Sequence, residues 1–329
     1  MPPLLRVKDL QTYYVGFRGS RVVKAVDGIS FSVEAGETFG IVGESGSGKT
    51  TTCHALVRLL PSSAQIVGGS IELEGEELLS KSPREMRLVR GRRIATIIQD
   101  PMASLDPLFT IYHQVAEPAY YHRALRGRGL RQRVQELLTS VRIPSPATRM
   151  QEFPHQMSGG MRQRIVGAIA QAGGPQLIIA DEPTTNLDVT IQLQYLNLLK
   201  ELQRASGVAL IFVTHNLGIV AKMCDKVAVM YAGKIVEMQP VRELFYRPKH
   251  PYTRALLDSM PKLGSKEPLY AIPGQPPDLA ALPAGCSFHP RCQQAQPRCY
   301  AEEPAEQHLG NGSTVRCWLP LQERGGVEG

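Results

Sequence analysis

The sequence predicts an α/β fold, and three apolar segments carry this prediction. The run "TFGIV" precedes a glycine-rich loop, "GESGSGKT", and the stretch "TTCHALVRLL" after the loop is typical of a helix. A second run, "LIIADEP", ends in two carboxylates, as expected for a buried strand of a parallel sheet. A third run, "VALIFVT", is followed by a histidine. Polar groups at the ends of such strands indicate a site along one edge of the sheet.

The glycine-rich loop, residues 43–50, has the spacing G-x-x-x-x-G-K-[ST], and we call it the phosphate loop. Its glycines allow tight turns that bring backbone N–H groups close to an anion. The following helix presents its partially positive N-terminus to the same anion. We expect Lys49 to reach the β- and γ-phosphates and the Thr50 hydroxyl to bind Mg²⁺. An ordinary flexible loop is the alternative, and the flanking strand and helix disfavour it.

The two carboxylates after the second run suit hydrolysis of a nucleotide. Asp181, at the strand tip, is expected to bind Mg²⁺ through its hydration shell, which complements Thr50. Glu182, one residue further, is expected to polarise the attacking water as a general base. Acidic residues also favour helix N-termini, and a helical pattern does follow Glu182. We favour the catalytic interpretation because the phosphate loop is present in the same chain.

A second anion site is predicted at "HQMSGGMRQR", where a Ser-Gly-Gly turn opens a basic helix. One nucleotide does not need two separate helix ends within one chain. Two chains arranged head to tail would use both helix ends, since each nucleotide then lies between the phosphate loop of one chain and the Ser-Gly-Gly helix of the other.

Together with "VTHN", these motifs resemble the ATP-binding cassette (ABC) ATPases over roughly residues 4–245. The resemblance implies a P-loop ATPase with a RecA-like core, a β subdomain and an inserted helical subdomain, binding ATP and Mg²⁺. The nucleotide-binding residues it implies are Tyr14, Gly43, Glu44, Ser45, Gly46, Ser47, Gly48, Lys49, Thr50 and Thr51. The signature and dimer residues are Ser158, Gly159, Gly160, Gln163 and Asp188. The catalytic residues are Glu182, His215 and Gln99, and the Mg²⁺ ligands are Thr50, Gln99 and Asp181.

Three positions within the resemblance need comment. Tyr14 matches the aromatic residue that stacks on adenine, and the neighbouring Tyr13 is a weaker candidate. Asn186 stands where the family usually has a small residue, and Asn216 stands where it commonly has aspartate. Neither asparagine replaces a catalytic group. The resemblance implies that both positions lie near the dimer contact, so the departures put in question the communication between the two sites of a dimer.

The motif order predicts the organisation of the chain. Residues 1–245 form the ATPase domain, with a helical subdomain at about residues 101–160. Residues 246–329 are rich in proline, which disfavours long helices and central strands. We call residues 246–329 the extension. We expect it to wrap on the core as a structural element that lies across a surface rather than entering the nucleotide site, and to take no part in hydrolysis.

The extension carries four of the six cysteines, at the spacing C-x5-C-x6-C-x17-C. A reducing cytosol disfavours disulfides, and a closed tetrahedral Zn²⁺ site is an open alternative. The segments "HPYTRALLDSMP", "PGQPPDL", "GCSFHPRC" and "VRCWLP" resemble the C-terminal extension of the oligopeptide/dipeptide importer ATPases. That resemblance implies a [4Fe–4S] cluster, and the cysteines it implies as ligands are Cys286, Cys292, Cys299 and Cys317.

The resemblance implies the ATPase subunit of an ABC importer for di- or oligopeptides, or for another small solute such as nickel or glutathione. We expect a second, distinct ATPase subunit, two transmembrane permeases and, indirectly, an extracellular binding protein, at the cytoplasmic face of the membrane. No apolar run is long enough to span a bilayer, no secretory signal is evident, and the net charge of +7 is mild. A soluble ABC ATPase acting on nucleic acid or cofactor assembly is the alternative; we expect no nucleic-acid partner.

Overall fold

The computed structural model describes residues 2–16, 21–98, 100, 104–185, 187–261 and 270–322. Gln99 and Asn186 lie outside these residues. The chain divides into two compact units, which we call the first and the second unit. The first unit comprises Met1–Leu4, Val33–Thr38 and Glu74–Val213, and the second comprises Leu5–Ser32, Phe39–Leu73 and Thr214–Gly329.

Strands and helices alternate through most of the described chain. The strands are β1 (Leu5–Val15), β2 (Val22–Val33), β3 (Thr38–Val42), β4 (Ala64–Leu73), β5 (Glu76–Glu77), β6 (Ile94–Ile97), β7 (Leu177–Asp181), β8 (Ala209–Thr214), β9 (Lys226–Tyr231), β10 (Lys234–Pro240), β11 (Gln307–Gly310) and β12 (Ser313–Val315). The α-helices are α1 (Lys49–Leu56), α2 (Pro83–Val89), α3 (Ile111–Arg123), α4 (Gly127–Ser140), α5 (Pro146–Arg149), α6 (Gly159–Ala172), α7 (Val189–Ser206), α8 (Leu217–Met223), α9 (Val241–Tyr246), α10 (Pro251–Asp258) and α11 (Pro297–Ala301).

The first unit combines parallel strands with a group of helices. β7 lies between β6 and β8 and runs parallel to both. All five residues of β7 are buried, as its uninterrupted apolar sequence predicts for a strand with neighbours on both sides. α3, α4 and α6 pack on one another. α4 buries Leu130, Val134, Leu137 and Leu138, whose spacing places them on one helix face.

The second unit contains two sheets. In the first, β1 lies between β2 and β4 and pairs antiparallel with β4. In the second, the fully buried β3 runs parallel to β9, and β10 pairs antiparallel with β9. The phosphate loop therefore leaves the carboxyl end of a buried parallel strand and leads into α1, as the sequence predicts.

The extension adds two strands to this second sheet. β12 pairs antiparallel with β10, placing Val315 opposite Glu237, and β11 pairs with β12. The short helices α10 and α11 have 8 and 5 residues, which agrees with the high proline content. The sequence-based interpretation of a wrapping segment missed the hairpin, although "NG" between its strands is a recognisable turn sequence.

The α/β fold is confirmed. Within the described part of the chain, no helix combines the length and the apolar character that a membrane crossing requires.

Candidate functional site

Backbone geometry explains why glycine occupies positions 43 and 48 of the phosphate loop. Gly43 has φ +156°, and a Cβ there would lie 2.2 Å from the carbonyl oxygen of Met230. Gly48 has φ +105°, and a Cβ there would lie 2.1 Å from the carbonyl oxygen of Ala25. Any side chain at either position would collide with backbone, so the loop keeps its shape only with glycine.

The loop presents groups that suit a polyphosphate. Lys49 is buried, and its Nζ donates hydrogen bonds to the carbonyls of Gly43 at 2.8 Å and Glu44 at 2.9 Å. The Ser47 hydroxyl is buried and has no hydrogen-bond partner among the described residues. A buried polar atom without a partner is costly, and a phosphate oxygen would supply one. The loop therefore presents a cation and an unpaired hydroxyl that suit a phosphate group.

The two candidate tyrosines differ in what they contact. The Tyr14 hydroxyl lies 3.3 Å from the Thr51 hydroxyl on α1, next to the exposed Thr50. The Tyr13 hydroxyl donates a 2.5 Å hydrogen bond to Asp27. Burial and the Asp27 carboxylate raise the pKa of Tyr13 to about 12. Tyr13 is thus held by a structural contact, whereas Tyr14 lies beside the helix that follows the loop.

Two residues of the extension contact Glu44, the second residue of the phosphate loop. The Arg291 guanidinium donates to Glu44 Oε2 at 2.7 Å and to Oε1 at 3.0 Å. The Glu44 backbone N–H donates to the Tyr252 hydroxyl at 3.0 Å. The extension therefore contacts the phosphate loop through a side-chain ion pair and a backbone hydrogen bond.

Aromatic packing holds Tyr252 in place. Tyr252 is fully buried, with its ring centroid 4.6 Å from that of Tyr231 and 5.3 Å from that of Phe288. Tyr231 ends β9, and Phe288 belongs to the extension. The hydroxyl that meets Glu44 is thereby fixed by rings from the core and the extension.

A buried carboxylate organises the turn that leads to Tyr252. Glu237 on β10 is fully buried and accepts the backbone N–H groups of Lys249 at 2.6 Å and His250 at 2.8 Å, and the Gln239 amide also donates to it. Burial raises the pKa of Glu237. His250 then caps α10 by accepting the Tyr252 N–H at 3.0 Å, and burial lowers the pKa of His250 to about 3. In the "HPYT" sequence, His250 caps the helix, Pro251 occupies its first turn and Tyr252 contacts the phosphate loop.

The predicted acids occupy the end of β7 in the first unit. Asp181 is the last residue of β7 and is buried. Glu182 has the left-handed φ of +46°, which is uncommon for a residue with a side chain. Its N–H donates to the Val213 carbonyl at 2.9 Å, and its carboxylate accepts the Thr185 hydroxyl at 2.9 Å. These bonds hold the Glu182 backbone in a strained conformation, as occurs at functional positions.

The predicted signature residues also belong to the first unit. Ser158 caps α6 by accepting the Met161 N–H at 3.3 Å, and both Ser158 and Gly159 are exposed. The buried Gln163 on α6 donates to the Pro183 carbonyl at 2.7 Å. This bond joins the signature helix to the residue after Glu182. Asp188 caps α7 by accepting the Ile191 N–H at 3.0 Å.

The position after β8 accounts for one departure from the family pattern. His215 follows β8 and is exposed. The side chain of Asn216 caps α8 by accepting the N–H groups of Gly218 at 2.9 Å and Ile219 at 3.4 Å. An aspartate would accept the same two bonds, so asparagine preserves the local structure. The predicted Gln99 and the departure at Asn186 lie outside the described residues.

The four cysteines of the extension line one cavity, together with apolar groups that include Phe288 and Trp318. None of them is in a disulfide, and all lie in the described part of the chain. The other two cysteines, Cys53 and Cys224, are buried as predicted. The lining cysteines are Cys286, Cys292, Cys299 and Cys317.

A backbone N–H group is directed at one of the four sulfur atoms. The Leu319 N–H donates to Cys317 Sγ at 3.4 Å. Burial raises the pKa of Cys286 and of Cys317 to about 11. Among the described residues, no group of three or more His, Cys, Asp or Glu side chains has the arrangement for a single metal ion.

Sequence reasoning missed three residues that act on the phosphate loop. Arg291 and Tyr252 contact Glu44, and Glu237 holds the turn before Tyr252. The motifs "HPYT" and "FHPRC" contain Tyr252 and Arg291. Nothing in their local sequence indicates a partner more than 200 positions away.

Two family models match the chain. Residues 26–185 match the ABC transporter model, and residues 236–299 match the model of the oligopeptide/dipeptide transporter C-terminal region.

Similar proteins cover nearly the whole chain. It is 48% identical to a probable peptide ABC transporter ATP-binding protein of Sinorhizobium fredii, over 96% of this chain and 94% of that protein. It is 47% identical to the oligopeptide transport ATP-binding protein OppD of Bacillus subtilis, over 96% of this chain and 88% of that protein. It is 45% identical to the dipeptide transport ATP-binding protein DppD of Escherichia coli, over 98% of each chain.

A solved structure shares the fold. The dimeric ATP-binding cassette MJ0796, bound to ADP and Pi in a post-hydrolysis state, matches with a TM-score of 0.64 at 25% identity, over 72% of this chain and 99% of that one. The uncovered share is consistent with an added extension. The chain belongs to the ABC transporter family, among the ATP-binding proteins that carry the oligopeptide/dipeptide transporter C-terminal region.

Proposed function

We propose that this chain hydrolyses ATP to drive the import of di- or oligopeptides through membrane permeases. The observation that carries the proposal is the combination of a glycine-rich loop that suits phosphate with similarity to peptide transport ATP-binding proteins over nearly the full length. Nickel, glutathione or another small solute is the alternative cargo.

The residue roles follow from the chemistry of ATP hydrolysis. Lys49 and the N–H groups of the phosphate loop bind the phosphates, and Tyr14 stacks on adenine. Thr50, Gln99 and Asp181 are the proposed ligands of Mg²⁺, which neutralises charge on the phosphates.

Glu182 is proposed as the general base and His215 as a hydrogen-bond donor to the γ-phosphate. The left-handed backbone of Glu182 supports a functional role, because such strain is kept where a side chain must be aimed.

We further propose that two ATPase subunits enclose the nucleotides. The exposed N-terminus of α6, with Ser158, Gly159 and Gly160, would contact the γ-phosphate bound to the other subunit. A distinct second ATPase, two permeases and an extracellular binding protein would complete the importer. This chain would lie at the cytoplasmic face of the membrane, with residues 1–245 as the ATPase domain and 246–329 as the extension.

The cavity in the extension is proposed to hold a [4Fe–4S] cluster rather than Zn²⁺. Four thiolates are the ligands that such a cluster takes, and N–H groups directed at sulfur are among the features that tune it. The proposed ligands are Cys286, Cys292, Cys299 and Cys317.

Glu182→Gln tests the proposal in the assembled transporter. Purification from the native host identifies the partners, and proteoliposomes loaded with ATP report uptake of labelled peptide. We expect Glu182→Gln to retain ATP binding but to slow hydrolysis and uptake by about 100-fold or more, because it removes the base. Glu201→Gln, an exposed partner of Arg142, is the matched control and should retain activity. Near-normal hydrolysis by Glu182→Gln would contradict the assignment, and nickel uptake without peptide uptake would identify the alternative cargo.

A further inference from the structure

A partly buried ion pair joins the extension to the phosphate loop across 247 positions of sequence. Both terminal nitrogens of Arg291 bind the Glu44 carboxylate, at 2.7 and 3.0 Å. The Arg291 side chain is 4% exposed and that of Glu44 is 26% exposed. A two-point charge-assisted contact of this kind fixes the orientation of both planar groups.

Arg291 is itself held from several sides. Its Nε donates to the Pro273 carbonyl at 2.8 Å, and Nη1 lies 3.4 Å from the Tyr231 hydroxyl. Because Pro273 belongs to the extension and Tyr231 to the core strand β9, the guanidinium has one position relative to both. Glu44 therefore meets a fixed partner rather than a mobile surface side chain.

Glu44 in turn controls the groups around Lys49. Its backbone N–H is held by the Tyr252 hydroxyl, and its carbonyl accepts the Lys49 ammonium at 2.9 Å and the Ser47 N–H at 3.2 Å. A rotation of the Glu44 peptide would move the carbonyl away from Lys49. The residue that Arg291 and Tyr252 contact is thus the one whose carbonyl accepts the phosphate-binding lysine.

We propose that Arg291 is a positioning residue for nucleotide binding, holding Glu44 and thereby Lys49 in the arrangement that receives the triphosphate. A buried ion pair adds little net stability, and its best-attested contribution is to select one conformation. ATP affinity consequently depends on the folded state of the extension that carries Arg291. The inference rests on the proposed role of the phosphate loop.

The test measures ATP affinity of the full-length chain by titration with a fluorescent ATP analogue, and KM and kcat in the assembled transporter. Arg291→Ala raises Kd and KM about tenfold, within the range of couplings between sites, and changes kcat at saturating ATP by less than about twofold. Arg291→Lys keeps the charge but loses the two-point contact, so its Kd and KM lie between those of the wild type and of Arg291→Ala. Glu44→Gln raises Kd in the same way.

The double variant Arg291→Ala/Glu44→Gln distinguishes one shared positioning contact from two independent effects on ATP affinity. Because the two residues act through one contact, the double variant binds ATP no more weakly than Arg291→Ala. Asp278→Ala is the control, since it breaks another ion pair of the extension, with Arg21, in which both side chains are more than half exposed. Its Kd stays at the wild-type value.

Thermal melting of each variant shows whether it is folded. If Arg291→Ala does not fold, the two single variants Arg291→Lys and Glu44→Gln provide the test. Wild-type Kd in these two folded variants, with weakened binding in Lys49→Ala, overturns the inference and leaves the proposed function standing. Wild-type Kd in Lys49→Ala as well overturns the assignment of the phosphate loop itself.

Discussion

Replacing Glu237 by alanine should destabilise the second unit by about 3 kcal/mol. The change leaves the partly buried N–H group of Lys249 and the buried N–H group of His250 without their acceptor. Each unpaired buried group costs about 1–3 kcal/mol, which gives about 2–6 kcal/mol for the pair. Relief of the burial penalty on the carboxylate, which its raised pKa reflects, offsets part of this cost. The expected loss in the free energy of unfolding is therefore about 3 kcal/mol, in the lower half of this range.

The assay is urea unfolding followed by the fluorescence of Trp318, the one tryptophan of the chain, which lies in the extension. Glu237→Gln retains one acceptor oxygen, so it should lose about half as much stability. Glu72→Ala, which removes a partially exposed partner of Arg6, should cost less than about 1 kcal/mol. If Glu237→Ala costs no more than Glu72→Ala, the turn before α10 does not depend on this carboxylate and the reasoning fails.

The remaining predictions concern the same extension. Because burial lowers the pKa of His250 to about 3, the unfolded chain binds a proton below pH 6.5 that the folded chain does not. The free energy of unfolding is therefore unaffected by this group above pH 6.5 and falls by about 1.4 kcal/mol per pH unit between pH 6.5 and about pH 3. In urea titrations from pH 7 to 5, the free energy of unfolding of His250→Asn should depend less steeply on pH. The same pH dependence as in the wild type would contradict the assignment. Anaerobically purified protein should contain about four iron atoms and four acid-labile sulfides per chain, whereas one zinc and no sulfide would exclude the cluster. Cys292→Ser with Cys299→Ser should abolish this content and lower the melting temperature, while Cys224→Ala should keep the iron.

The sequence alone determined the local parts of the site. The strand "TFGIV" is β3, the run "LIIADEP" contains β7, and the helix after the loop begins at Lys49. These features are encoded by neighbouring residues, since burial sets the apolar runs and the loop needs glycine at fixed positions. The composition of the extension likewise predicted short helices.

Tertiary structure alone decided how the extension meets the phosphate loop. Arg291 and Glu44 lie 247 positions apart, and Tyr252 reaches the same residue from α10. Side-chain periodicity carries information about which face of an element is buried but none about which distant group it meets. A buried glutamate such as Glu237 likewise has the sequence of an ordinary strand residue until folding brings the N–H groups of the next turn to it. Pairing of buried polar groups is satisfied only in three dimensions, which is why these contacts could not be predicted from the sequence.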